Sequence, residues 1–323
     1  MSPSLYSPMK RLLRNKNRNQ DGFALLLTLL VVFLLVVIIL EADFQARADL
    51  RAAGNFRDDL KAFYLARSAI WAGEALLKDD AKGDQRDNKK YDGLDEDWAS
   101  DVVSEFPLGD GVLNGSIVDE SRKININKLV KPNRSIDTAR KAQLERLFEF
   151  LEIDPEGVDQ IIKWLGADAE NAGGSTTGSP VRTFETIQEL HLVNGMSDGV
   201  FRKISPYLTV YGDGKINVNT SDSLVLQSLD EGIGETEAQR LMENRPYTKI
   251  GDFKGQLQAF HDVNNRMITE PERSISVNAL SVQSTHFSLT AEGRVNDTKK
   301  IAYAIINRPP GSTLTKLLYF RVE

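Results

Sequence analysis

From Phe23 to Leu40 the chain reads FALLLTLLVVFLLVVIIL, an apolar run whose single polar member is Thr28. At about 1.5 Å per helical residue it reaches roughly 27 Å, close to the hydrocarbon thickness of a bilayer. Lys10, Arg11, Arg14, Lys16 and Arg18 precede it, followed by Asp21-Gly22. That basic flank favours a cytoplasmic N-terminus. Everything after Leu40 is therefore expected beyond the membrane, so the protein works from an anchor and its partners lie at or beyond that membrane.

Three readings of this segment stand side by side. A secretory signal needs a small-residue cleavage site, and Glu41-Ala42-Asp43 follows the apolar run directly. A plain signal anchor fits the length. The third reading starts from Gly22-Phe23, a glycine at the junction of the basic leader and the apolar helix. This resembles the type III signal of the type IV pilin and pseudopilin superfamily. The resemblance implies cleavage by a prepilin peptidase between Gly22 and Phe23, with methylation of the new amine on Phe23. Most members carry Glu at the fifth mature position, where it neutralises the amine of a neighbouring subunit; here that position is Leu27. A subunit with Leu27 cannot serve a neighbour in that way, which suits the end of a fibre, although a lipid-facing leucine is the plain alternative.

The first 22 residues hold five Lys/Arg and one Asp, so a chain of net charge −6 leaves a remainder of −10 without them. An acidic ectodomain is repelled by phosphate backbones, which argues against nucleic acid as a partner. The chain has no cysteine, which excludes disulfides, thiolate metal sites and cysteine nucleophiles.

Beyond the anchor, Phe44, Ala48, Ala52, Phe56, Leu60, Phe63, Tyr64, Ile70, Trp71 and Leu77 recur at helical spacing. The pattern predicts one helix from Phe23 to Lys78, with Phe44, Phe56, Phe63 and Tyr64 dividing between a sheet and neighbouring subunits. Asp79 to Asp92 reads as a charged loop. Asp95 to Pro107 reads as a short helix, and Val112-Leu113 and Gly115–Val118 read as the two strands of a hairpin. Lys123-Ile124-Asn125-Ile126-Asn127 then repeats as Lys215-Ile216-Asn217-Val218-Asn219, each copy leading into a helical block. The asparagines are expected to bond local backbone. Short helices are predicted over 184–192 and 200–208, and Gly232-Ile233-Gly234 resembles a helix-hairpin-helix turn. From Ser274 the apolar residues alternate: Ile275 and Val277, then Phe287, Leu289 and Ala291, then Ile301, Tyr303 and Ile305, then Leu318, Phe320 and Val322, as in antiparallel strands.

Taken in order, Gly22-Phe23 with Leu27, Asp95–Ala99 (DEDWA), Asp119, Asn125-Ile126-Asn127, Glu189-Leu190, Gly195-Met196, Ile216–Thr220, Gly232-Ile233, Ala238 and Arg245 resemble the minor pseudopilin K family of bacterial type II secretion. The resemblance implies an α+β pseudopilin fold: a long N-terminal transmembrane and stalk helix packed on an antiparallel sheet, with a large inserted helical domain containing two repeat-like SAM/helix-hairpin-helix units. The expected organisation is a cleaved leader 1–22, a transmembrane helix 23–40, a periplasmic stalk 41–78, a first α/β part 79–120, the insert 121–272 and closing strands 273–323. It also implies the inner membrane, a periplasmic C-terminal domain and a place at the pseudopilus tip. The implied partners are minor pseudopilins I and J, other pseudopilins, prepilin peptidase and exoprotein substrates. Some members bind calcium in the helical domain; the matching stretch here is Trp164-Leu165-Gly166-Ala167-Asp168, with Gly166 in place of one family Asp, and Asp168 with the following Glu170 would offer two oxygen ligands of the six to eight that calcium takes.

No enzyme is expected. His191, His261 and His286 lack metal-ligand spacing, Gly212–Lys215 continues into Ile216 where a phosphate loop needs Ser or Thr, and no nucleophile elbow is present. Two alternatives remain at this point: a helix-hairpin-helix DNA-binding membrane protein and a plain membrane-anchored periplasmic adaptor. Asp230, Glu231, Glu235 and Glu237 around the glycine turn oppose the first.

Overall fold

The computed structural model describes residues 18–99, 103–166, 181–260 and 275–323. The chain divides into two compact units, the first ending at Asp58 and the second running Asp59–Glu323. Helix α1, Arg18–Asp87, contributes to both. It ends nine residues later than the apolar periodicity predicts. The acidic segment after Lys78 was expected to be a loop because it has few apolar residues. It stays helical because Ala81 is buried and Asp80 is tied to Arg308, so tertiary contacts replace the missing stripe.

In the second unit a five-stranded sheet has the order β1-β2-β7-β8-β9, every neighbour antiparallel. Its strands are β1 (Val103–Leu108), β2 (Gly111–Asp119), β7 (His286–Val295), β8 (Thr298–Asn307) and β9 (Lys316–Val322). Two expectations are corrected here. Asp97–Ala99 is a 3-10 turn and Val103–Leu108 is β1, so among the described residues no helix runs up to Pro107. The residues read as two hairpin strands, 112–113 and 115–118, are one strand, β2, and its true partner is β1 across the Gly109-Asp110 turn. Gly109 turns there at φ +62, a backbone region that costs glycine little.

The part of α1 in this unit lies on the sheet. Ala62, Leu65, Ala66, Ala69, Ile70 and Leu77 form one cluster with Leu113, Ile117, Phe287, Leu289, Ala291, Val295, Ala302, Ala304 and Ile306. The small helix residues permit close approach. A Cβ on Gly293 would stand 2.2 Å from the Ala62 carbonyl oxygen, so this strand position must be glycine. Lys61–Asp110 at 2.6 Å and Lys300–Asp59 at 2.9 Å pin the helix to the β1–β2 turn and to β8.

The remaining elements lie between β2 and β7 in sequence. They are β3 (Ile124–Asn125), α2 (Thr138–Phe150), α3 (Glu156–Trp164), α4 (Asp198–Ile204), β4 (Leu208–Thr209), β5 (Ile216–Asn217), α5 (Ser223–Gln227), α6 (Glu235–Glu243), α7 (Ile250–Leu257) and β6 (Leu280–Ser281). They share a second core, from Ile124 to Val282, centred on Leu144, Leu147, Phe148, Ile161, Leu226, Leu241 and Phe253. The two repeat strands pair in parallel with distant partners, β3 with β4 and β5 with β6. The expected strand at Ile275 and Val277 is instead a 3-10 turn, Val277–Ala279, leading into β6. The helix expected over 184–192 is a 3-10 helix, Ile187–Leu192, while that over 200–208 is α4 followed by the 3-10 turn Ser205–Tyr207.

Candidate functional site

Gly22 and the whole run from Phe23 to Leu40 are helical, and every one of these residues is exposed. The one hydroxyl in the run, Thr28 Oγ1, donates to the Leu25 carbonyl at 2.8 Å, so no polar group of the segment is left unsatisfied in an apolar medium. A Cβ at Gly22 would meet nothing within 4 Å. A helical glycine costs about 1 kcal/mol relative to alanine, and packing gives no reason for it. Leu27 presents its side chain outward, 51 % exposed, with no carboxylate at this level of the helix.

Further along α1, in the second unit, Leu60, Tyr64 and Trp71 are exposed on the side opposite the sheet-packed alanines, and the Arg67 guanidinium lies 4.5 Å over the Trp71 ring. The helix therefore has two apolar faces in this region, one covered by the sheet and one open. Of the residues expected to divide between sheet and neighbours, Phe44, Phe56 and Tyr64 are exposed. Phe63 is half-buried with its ring edge-on to Tyr64 at 5.4 Å, and none of the four belongs to the sheet core. Alanines take the sheet contact because aromatic rings would hold the helix away from it.

Where helix, sheet and helical block meet, a buried polar hub joins residues more than two hundred positions apart. Arg308 donates to the Leu77 carbonyl at 3.1 Å and to Asp80 at 2.6 Å, pairs with the buried Asp92, and lies 4.8 Å over the Phe287 ring. Burial pushes Asp92 up to about 7 and is opposed by the Arg308 charge. The Ser284 amide donates to Asp92 at 2.6 Å, and Asn217 Nδ2 reaches the Asp92 carbonyl at 3.0 Å. Asp119 takes hydroxyl hydrogen bonds from Ser284 and Thr220; burial holds its carboxyl above the usual range. Glu120 accepts from Thr209 at 2.6 Å, Lys123 at 2.6 Å and Ser288 at 2.8 Å. In the DEDWA stretch Trp98 is buried edge-on to Phe287 at 5.1 Å, and its Nε1 donates to Glu96 at 2.7 Å.

Carboxylate oxygens of Asp80, Asp84 and Glu96 lie within 4.8 Å of one another. Arg308 already holds Asp80 and Lys89 already holds Glu96, so protein cations balance this cluster. Asp84 is left against its acidic neighbours, and burial, then the Asp80 and Glu96 charges, raise it to about 6. Asp168 and Glu170 lie outside the described residues. The described stretch before them ends at Gly166, whose φ is +89 and which brings no side-chain oxygen, so the residues seen do not make a calcium cage.

The asparagine repeat has a mechanism. In each copy the first Asn accepts from the amide of the second: Asn127 N to Asn125 Oδ1 at 3.0 Å, Asn219 N to Asn217 Oδ1 at 2.9 Å. The second Asn then clamps the backbone of a remote segment. Asn127 accepts from the Phe184 amide at 2.8 Å and donates to the Phe184 carbonyl at 2.9 Å. Asn219 does the same to Tyr247, at 2.8 and 3.0 Å.

At the glycine turn between α5 and α6, Gly232 N donates to Asp230 Oδ1 at 2.7 Å and Gly234 N to Glu237 Oε2 at 3.1 Å. The amides that would meet a phosphate are thus taken by carboxylates. His191 lies 3.5 Å from Asp198, His286 is bonded to Thr285 at 2.8 Å, and His261 is outside the described residues.

Comparisons with known proteins bear on the chain as a whole. Two family models, both described as type II secretion system protein K, match residues 122–213 and 216–269. Type II secretion system protein K of Aeromonas hydrophila is 27 % identical over 333 residues, spanning 93 % of this chain and 96 % of the relative. The Pseudomonas aeruginosa protein K is 24 % identical over 310 residues, 90 % of each. Among solved structures, a chain of the GspK-GspI-GspJ complex of enterotoxigenic Escherichia coli superposes with a TM-score of 0.65 at 20 % identity, over 85 % of this chain and 99 % of that one.

Proposed function

We propose that this chain, a minor pseudopilin of the type II secretion system protein K family, ends the pseudopilus as its tip subunit, where it initiates or caps assembly and supports export of folded proteins across the outer membrane. The observation that carries this reading is Leu27. A shaft subunit needs a carboxylate at this depth for the terminal amine of the subunit stacked on it, and an apolar side chain there leaves such an amine unneutralised. Two features support it. Residues 120–285 are inserted between adjacent strands of the sheet, a bulk that close stacking along a shaft does not tolerate. The open face of Leu60, Tyr64 and Trp71 offers lateral docking to helices of minor pseudopilins I and J, the components named with the K subunit in the similar solved complex.

On this reading the apolar helix 23–40 crosses the inner membrane once, with its basic leader cytoplasmic and residues 41–323 periplasmic. Prepilin peptidase cuts between Gly22 and Phe23 and methylates Phe23. The proposed domains are the stalk 41–78, the α/β part built from 79–120 with 273–323, and the insert 121–272, whose core also takes in Ile275, Leu280 and Val282.

Two measurements test it. Mass spectrometry of the mature protein should find N-methyl-Phe23 as the first residue; an intact Met1 sinks the processing reading. Full-length chain co-expressed with I and J should purify as a ternary complex with one copy of this chain. Several copies along isolated pseudopili, or no complex, refute the tip assignment.

A further inference from the structure

A groove of ≈ 620 Å³ opens between α2, α3 and α4, lined by none of the hub residues. Its floor is Phe148 and Met196, both buried, and Ile153 and Val200 stand half-buried along its sides. Its mouth is kept open by small residues. A Cβ on Gly195 would meet nothing within 4 Å, and one on Gly199 would meet only Ser197 Oγ at 3.7 Å.

The rim is acidic. Glu152, Asp154 and Glu156 line it against one cation, Lys203. Lys203 Nζ is turned to the Leu151 carbonyl at 3.1 Å, and Asp154 accepts from the Glu156 amide at 2.9 Å. Glu152 and Glu156 have no cationic partner among the described residues. Glu152 also holds left-handed backbone at φ +54, where Gly or Asn would be less strained, so the turn does not explain a glutamate there. An apolar floor under uncompensated carboxylates is complementary to an apolar side chain with positive charge beside it.

We propose that this groove docks a segment of a protein partner that offers one large apolar side chain flanked by Lys or Arg. That the partner is an exported protein rests on the tip reading above; the chemistry of the segment is read from the groove itself.

The test uses the full chain in zwitterionic nanodiscs and a fluorescent peptide, acetyl-Ser-Lys-Leu-Lys-Ser-amide, read by anisotropy against empty nanodiscs. Wild type should bind it, and binding should weaken with added salt. Gly199→Phe, which fills the mouth without meeting the core, should lower affinity about tenfold or more. The double variant Glu152→Gln/Glu156→Gln should lower it about tenfold, from two charge contacts of about threefold each. Glu235→Gln/Glu243→Gln, the same charge change on exposed residues of α6, should bind as wild type. No binding above empty nanodiscs, equal binding of a peptide with Ser in place of Leu, or groove variants that bind as wild type would each overturn the proposal. Assembly of the same proteins with I and J is scored separately. A wild type that fails there sinks the tip reading and leaves the peptide result standing.

Discussion

Replacing Arg308 by Met tests whether the buried hub holds the helix, the sheet and the insert together. Arg308 is 4 % exposed, and its guanidinium serves Asp80, Asp92 and the Leu77 carbonyl at once. Methionine keeps most of the stem over Phe287 but removes the charge and every donor. Asp92, 3 % exposed, is then left buried without a cation. Breaking a buried pair on one side costs about 3–5 kcal/mol, so a loss of about 4 kcal/mol is expected. Removing the stranded carboxylate as well, in Arg308→Met/Asp92→Asn, should recover about 2 kcal/mol of this, because an amide is far cheaper to bury than an unpaired charge. The assay is urea unfolding of the full chain in detergent micelles, followed by Trp98 fluorescence in a Trp71→Phe/Trp164→Phe background. The deficit also has a sign with pH. Without the guanidinium, burial and the Glu96 and Asp119 charges raise Asp92 against only the Ser284 amide bond, so its folded pKa lies still further above its unfolded value. The folded state then binds the proton more tightly, and stability rises as pH falls towards about 4. The deficit should therefore be smaller at pH 5 than at pH 8. A loss under about 1 kcal/mol, no recovery in the double variant, or a deficit that grows on acidification would refute the reasoning.

Asp84→Asn should match wild type near pH 4 and be more stable at pH 7.5, by roughly 1 kcal/mol or less for so open a group; thermal melts across pH 4 to 7 check this, since a carboxyl raised to about 6 withdraws stability as pH rises through that window. Asn219→Ala removes the clamp on Tyr247 and leaves a buried amide and carbonyl unpaired, for a loss of about 2–3 kcal/mol in urea unfolding, with Asn127→Ala similar and the two nearly additive. Gly293→Val should disrupt the helix–sheet contact and expose the Ala62 and Ala66 amides to faster hydrogen exchange, because even its Cβ overlaps the Ala62 carbonyl. Trp71→Ser on the open helix face should leave the melting temperature within about 1 °C yet reduce co-purification with I and J severalfold.

Elements whose periodicity is carried by their own residues were legible in the sequence. The apolar run and the helix after it, the alternation in β7, β8 and β9, and the asparagine repeat all announce themselves locally. What escaped depended on distant residues. The end of α1 reads as a loop by composition and is helical because Arg308 holds Asp80. Strand β1 contains Pro107 and too few apolar residues to alternate; it forms because β2 offers it an edge. The hub carries no motif, since Asp80, Asp92, Asp119 and Arg308 converge only in three dimensions; unpaired-looking charges beside apolar strands were the sole hint. The rim of the groove is not legible in the sequence because Glu152, Asp154 and Glu156 have the pattern of any solvated turn, and only the fold puts an apolar floor beneath them. Helix α7, short and capped by Asp252 accepting from the Lys249 amide at 3.1 Å, left no periodic trace strong enough to read.

The strand order has a kinetic consequence. The second of the sheet's four pairings joins β2 to β7, for example Val112 to Arg294, and the 166 residues from 120 to 285 separate the two strands. Closing a flexible loop of that length costs about 4.5 kcal/mol in chain entropy before any contact is made, whereas a compact insert with its ends already side by side removes most of that penalty. The β5–β6 ladder and the bonds from Asp119 to Thr220 and Ser284 bring those ends together. Synthesis from the N-terminus thus delivers a chain whose first hairpin must wait, a marginal two-stranded ribbon, until the intervening block has condensed and β7 can zip against it. Lesions deep in that block should therefore slow maturation of the sheet they never touch.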